Sequence, residues 1–232
     1  MLLGKEILFS SKKNKAVTLP YLIFNAQGAR NGSRYFDTGI IPGPTTRVEL
    51  LMGRNSSAAL NVGWQTGCRS GWVSNALMLN YTPIPGRCWL IYNNGTYDIN
   101  VKPVDSSFSA VYVSFGANGI LEAGDVVLNT GQNLSLANNS LYIGDVNENG
   151  TPKGGTDSQG SAKMFWCKIY EGNTLVKHYL PAQQSGAPVL HELVADAYLQ
   201  SEGSFGVSSI VYGEETVTLV NGGKIEMETA LI

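Results

Sequence analysis

KMFWCKIYEGNTLVKHYLP, residues 163–181, is the stretch whose reading decides the fold. Met164, Phe165, Trp166, Ile169 and Tyr170 lead into Glu171-Gly172-Asn173, and Leu175, Val176, Tyr179 and Leu180 lead out toward Pro181. Aromatic and β-branched residues suit a pleated surface and Gly172-Asn173 is turn chemistry, so the stretch reads as a β-hairpin whose ladder Pro181 ends. One continuous helix is the competing reading, and glycine with asparagine at its centre and proline at its end argue against it.

Outward from the hairpin, the 232-residue chain is long enough for one full-sized β domain with a substantial core. Glycine is abundant at 27 residues, charged residues make up only 15%, and no stretch sustains an apolar 3.6-residue period. Many short strands joined by tight turns are expected. The pattern predicts strands over 46–52, 72–80, 88–92, 97–101, 108–115, 125–128, 141–144, 189–194 and 197–199, with a long polar loop over 145–161. At the ends, 5–9 reads as a strand, and 215–220 with 224–229 reads as a hairpin carrying apolar residues on one face.

The formal net charge is −2, with 18 acidic and 16 basic residues interspersed. Neither nucleic acid nor an anionic membrane is an expected partner of such a chain. Lys12, Lys13 and Lys15 make the one basic cluster, which reads as a solvated turn. Cys68, Cys88 and Cys167 stand in no metal-ligand or redox spacing, so three unpaired thiols in a reducing compartment are expected, with one disulfide plus a free thiol as the competing reading. Gly4, Lys5 and Glu6 interrupt the apolar residues of MLLGKEILF, so ordinary secretion is not expected.

Several pieces, in this order, resemble the laminin-G-like or concanavalin A-like jelly rolls found in proteins of gut bacteria and their bacteriophages. Tyr35-Phe36-Asp37-Thr38-Gly39-Ile40 and Thr46-Arg47-Val48 are similar to the family's opening strands. Lys168-Ile169-Tyr170-Glu171-Gly172, Leu175-Val176 and Tyr179-Leu180-Pro181 resemble its best-marked hairpin. Val189-Leu190-His191-Glu192-Leu193-Val194, with Tyr198, Gly203 and Phe205, resembles its closing segment. Two departures are His191, where the family has tyrosine, and Ala195-Asp196, where it has an Asn-Gly turn. The resemblance implies an antiparallel two-sheet jelly-roll sandwich over 19–206, flanked by an arm or edge hairpin at 1–18 and a β-hairpin extension at 207–232.

A jelly roll hosts lectins, glycanases and building blocks alike, so the site residues must speak for function. Hydrolases of similar fold carry alternate carboxylates on one strand, whereas this chain has only Glu226-Met227-Glu228, at its terminus, which reads as a solvated face. The histidines, His178 and His191, stand in no nucleophile motif, so no enzyme is expected. Asp145-Val146-Asn147-Glu148-Asn149-Gly150 matches the opening of a calcium loop, making Asp145, Asn147 and Asn149 candidate ligands. The twelfth position is Thr156 rather than glutamate, and a polar turn is the competing reading. No other cofactor is indicated. Aromatic faces are sugar platforms, and Trp64, Trp72 and Tyr81 are the candidate glycan-binding residues.

The expectation these readings support is a non-enzymatic structural protein of a bacteriophage virion, an outer capsid, fibre or tail component. It folds in the host cytoplasm, displays a lectin-like jelly roll toward host-surface polysaccharide, and anchors through its termini to other virion subunits as a homo-oligomer. One alternative is a carbohydrate-binding module or adhesin on a gut-bacterial surface; another is a degenerate glycosidase.

Overall fold

The hairpin forms, and it lies at the middle of the larger of two sheets. The computed structural model describes residues 16–25, 35–54, 64–71, 75–82, 86–101, 109–134, 138–152, 161–201, 206–207, 214–219 and 224–228, with backbone alone at 25, 54, 64, 81, 82, 161, 162 and from 206 onward. In chain order the strands are β1 (Val17–Thr18), β2 (Leu22–Asn25), β3 (Phe36–Asp37), β4 (Thr46–Arg54), β5 (Trp64–Arg69), β6 (Ala76–Thr82) and β7 (Arg87–Asn93). Next come β8 (Gly95–Asn100), β9 (Ser109–Gly116), β10 (Ile120–Ala123), β11 (Val126–Asn129), β12 (Tyr142–Ile143), β13 (Val146–Glu148) and β14 (Thr151–Pro152). The last are β15 (Ser161–Glu171), β16 (Thr174–Gln184), β17 (Ala187–Glu192), β18 (Ala197–Gln200), β19 (Gly206–Val207), β20 (Glu214–Leu219) and β21 (Lys224–Glu228).

The larger sheet runs β11-β10-β9-β4-β15-β16-β17-β18, with β2 beside β15, β19 beside β2, β1 beside β16, and the β20–β21 hairpin beside β9. The smaller runs β14-β13-β5-β6-β7-β8, and β12 joins β3 to β5. Among the described residues the pairing is antiparallel except where β13 lies along β5 and β20 along β9. The chain is therefore all-β, as its composition predicts, and its two sheets pack face to face. Their shared core takes Leu50 and Met52 from β4, Val111 and Val113 from β9, and Ile169 from β15 on one side. Leu77 and Leu79 from β6 and Leu90 and Tyr92 from β7 meet them from the other, all in the period-2 alternation of half-buried strands.

Local chemistry explains the motifs at the strand ends. In Asp37-Thr38-Gly39 the Asp37 carboxylate accepts the Gly39 N–H at 2.9 Å, and the Thr38 hydroxyl donates to the Leu141 carbonyl at 2.8 Å. The Thr46 hydroxyl donates to Glu171 at 2.6 Å, which ties the start of β4 to the β15–β16 turn. Asp196 takes a left-handed φ of 49°, a conformation that aspartate and asparagine tolerate, and His191 stacks on Tyr198 with ring centroids 4.7 Å apart.

Several expectations need correction. Pro181 does not end its strand: β16 continues to Gln184, with Pro181 opposite Leu190 in β17. Its carbonyl accepts the Leu19 N–H at 2.9 Å, and proline is tolerated there because β15 no longer pairs with β16 beyond Tyr179. The expected loop over 145–161 begins instead with the short β13–β14 pair. β5 and β10 were unmarked in the pattern: β5 interleaves Gly67 with polar residues, and β10 is only ILEA. The expected strand at 5–9 lies outside the described residues.

Cys68, Cys88 and Cys167 are all buried free thiols, each facing the inter-sheet core. Burial pushes the Cys68 thiol up to about 12 and raises the other two as well. The native protein is therefore expected to show no thiol reactive toward a disulfide reagent at pH 8, and all three after denaturation. Rapid labelling of a thiol in the native state would contradict this packing.

Candidate functional site: a groove on the outer face of the larger sheet

Cross-strand register places Val127, Glu122, Ser114, Glu49, Lys168 and His178 in one row across β11, β10, β9, β4, β15 and β16. Directly opposed residues share a sheet face, and this face points away from the core. The neighbouring row carries Ile120, Gly116, Arg47 and Tyr170, and a third carries Tyr112, Leu51 and Trp166. Over this surface lies a groove of about 370 Å³, lined by Arg47, Glu49, Tyr112, Ser114, Gly116 and Glu122, with the Asn118 and Gly172-Asn173 turns among its further lining.

Two irregularities shape this face. The register of β15 against β4 shifts between Met164 and Trp166, so Phe165 and Trp166 both leave the core side while Met164 and Cys167 stay on it. Half-buried aromatic surface is thereby delivered beside Tyr112, with ring centroids 6.1 Å apart. At the other end, Gly116 at φ 119° provides a notch in the second row; a Cβ there would collide with the Thr46 carbonyl.

The electrostatics divide the carboxylates. Glu49 is committed, lying 3.2 Å from the Arg47 guanidinium, and its charge is felt by the phenols of both Tyr112 and Tyr170. Arg47 Nε approaches Glu49 as a charge without the alignment of a hydrogen bond, and the guanidinium stacks on Tyr170, 4.3 Å from the ring centroid. Burial, then the charges of Glu49 and Glu122, push the Tyr112 phenol up to about 12, so it stays a neutral donor. Lys168 places Nζ 4.9 Å from the centroid of Trp166. Glu122 is only half-buried and makes no ion pair or hydrogen bond among the described residues. Exposed or half-buried aromatic faces beside such acceptors and donors can stack an apolar ring face and bind its hydroxyls.

Of the candidate residues named from sequence, those with described side chains, Asp145, Asn147 and Asn149, do not line this groove. Trp72 lies outside the described residues, as do the side chains of Trp64 and Tyr81. Register puts Trp64 opposite Tyr81, and Tyr81 opposite Cys88, in the smaller sheet, and Cys88 belongs to the inter-sheet core. Asp145, Asn147 and Asn149 lie at and around the short strand β13, each with its own polar partners. Asp145 accepts the Val146 N–H at 2.6 Å, Asn147 accepts the Gly150 N–H at 2.8 Å and donates to the Ser140 carbonyl at 3.0 Å, and Asn149 donates to the Ser70 carbonyl at 3.1 Å. Among the described residues no group of three or more His, Cys, Asp or Glu side chains stands close enough to hold a metal. In the terminal hairpin Glu226 is opposite Thr216, on the other face from Val217 and Ile225.

The groove residues carried a sequence signal that could have been used. RVEL in β4 and VYVSF in β9 alternate, and each places polar or aromatic side chains on the face opposite the core. Which strands lie side by side was the missing information.

Fold and site together define a class, a β-sandwich with an open, polar, aromatic-bearing groove on one outer face. No protein-family model matches the chain, and comparison with curated proteins finds no similar sequence.

Proposed function

We propose that this chain is a non-enzymatic structural subunit of a bacteriophage virion, whose sandwich is a laminin-G-like or concanavalin A-like jelly roll, and that the outer groove binds host-surface glycan. The observation that carries the glycan part is the groove itself, lined by Tyr112, Glu49, Ser114 and Glu122, with Trp166 against Tyr112 and Tyr170 against Arg47 just outside that lining. The buried free thiols fit a protein folded in a reducing cytoplasm and then displayed on a particle. The segments 1–18 and 207–232 are the proposed anchors to other virion subunits and to further copies of the chain.

Binding is tested with a panel of immobilised bacterial surface polysaccharides. Trp166→Ala and Tyr170→Ala are each expected to weaken a saturable interaction about tenfold, because each removes one stacking face. Trp72→Ala is expected to leave it unchanged. Loss of binding in Trp72→Ala with retention in the groove variants would move the site off this face. Sedimentation should find a homo-oligomer at micromolar concentration, and a monomer would remove the assembly half of the proposal.

A second reading, glycan hydrolysis, is favoured by one observation. Glu49 and Glu122 flank Ser114 on one sheet face, a pair of carboxylates two strand spacings apart, and paired carboxylates are what glycosidases use. Glu49 is held by Arg47, which leaves it poorly placed to activate a water, so binding without turnover is the reading we keep. Release of reducing ends from any bound polysaccharide, abolished in Glu122→Gln, would replace it.

A further inference from the structure

We propose that the groove selects uncharged glycans against acidic ones, with Glu122 as the residue that discriminates; this rests on the glycan-binding reading above. Three ionic side chains line the groove, Arg47, Glu49 and Glu122. Arg47 and Glu49 neutralise each other at 3.2 Å, so the positive charge that would receive a uronate or sialate carboxylate is already spent within the protein. Lys168, the next cation in the row, lies against the Trp166 ring and is not part of the lining. Among the described residues Glu122 is thus the uncompensated charge of the lining, on a strand where Val127 and Ser114 are its direct neighbours and neither can neutralise it.

The consequence is asymmetric. A carboxylate has two acceptor oxygens and no donor, so it matches the vicinal hydroxyl donors of a neutral sugar. A second carboxylate brought into the same partly dehydrated groove meets like charge a few ångströms away, where screening is weaker than in bulk water. Glu122 therefore acts as an attractive group for one ligand class and a repulsive one for the other.

The test uses the full chain with neutral polymers (a mixed-linkage β-glucan, a mannan and a galactan) and two uronate polymers (polygalacturonate and alginate), at low salt and at 0.5 M NaCl. A neutral polymer is expected to bind at least about tenfold more tightly than either uronate at low salt. The gap should narrow at high salt, and Glu122→Gln should shrink it to within about threefold, chiefly by admitting the uronates. Glu122 is half-buried and unpaired, and a thermal melt verifies that the variant is folded. Uronates binding as tightly as neutral polymers, or a gap that Glu122→Gln leaves intact, overturns the inference while glycan binding stands. Failure of the wild-type chain to bind any polymer overturns the glycan reading and this inference with it.

Discussion

Gly67→Ala is expected to cost at least about 3 kcal/mol of folding stability, read as a lowered urea midpoint. Gly67 sits where β5 touches three strands at once: it is opposite Met78 in β6, Tyr142 in β12 and Val146 in β13. Its φ of 138° is one that L side chains rarely adopt, and a Cβ would stand inside the contact distance of the Leu77 carbonyl oxygen and the Met78 Cα. Both obstacles are backbone, so no side chain can swing away to relieve them. Gly43→Ala is the control, since the nearest atom to its new Cβ is Thr46 Oγ1 at 3.9 Å, and it should fall within about 0.5 kcal/mol of wild type. Equal midpoints for the two variants would mean that β5 and β6 are not packed this closely.

Glu192→Gln is expected to destabilise by about 2–4 kcal/mol and to change the pH dependence of what remains. The Glu192 carboxylate, 3% exposed at the residue level, accepts the N–H groups of Val194 at 2.8 Å, Ala195 at 3.0 Å and His178 at 3.2 Å, with Lys177 Nζ at 3.4 Å. An amide in its place must aim an NH2 group at donors. Burial alone would raise the carboxyl, but the three backbone donors and Lys177 outweigh it and hold the group below its ordinary value of 4.5. With the folded value depressed, the unfolded chain takes up the proton first as acid is added. The contribution of Glu192 is therefore complete above about 4.5 and is lost as pH falls through the folded value. His178 acts in a separate window. Burial, then the charge of Lys168, depress its imidazole below the ordinary 6.5, so stability declines as pH falls below that value. Thermal melts from pH 3 to 7 should show both limbs in wild type. In Glu192→Gln the difference from wild type should be full at pH 6–7 and shrink below about 4.5; a difference constant down to pH 3 would mean that Glu192 is not held ionised by these donors.

The site was less legible than the fold, and the residues show why. The β15–β16 hairpin could be read because its determinants are local: aromatic and β-branched residues on both arms and Gly172 at φ 59° in the turn. Pro181 misled because its effect depends on which neighbour needs its N–H, a fact set by β1 and β17 and invisible in the hairpin's own sequence. Trp64, Trp72 and Tyr81 stand as candidate sugar platforms by residue type, the two tryptophans also by nearness to the glycine-bearing stretch 67–71, and neither criterion says which face of a sheet a side chain takes. Glu226 and Glu228 drew attention as a local pair, while Glu49 and Glu122, 73 positions apart in the sequence, meet across Ser114 only because β4, β9 and β10 are neighbours.

By itself the sequence determined that the chain is all-β, where its main hairpin turns, and that its three cysteines need no partner, because propensity, turn chemistry and thiol spacing are properties of short stretches. Tertiary structure decided the rest. The bulge at Phe165 turns two consecutive aromatics out of the core, and strand order sets Glu122 across Ser114 from Glu49, with no ion pair of its own among the described residues. Register is a relation between distant strands, and a shift of one residue exchanges every side chain between core and groove.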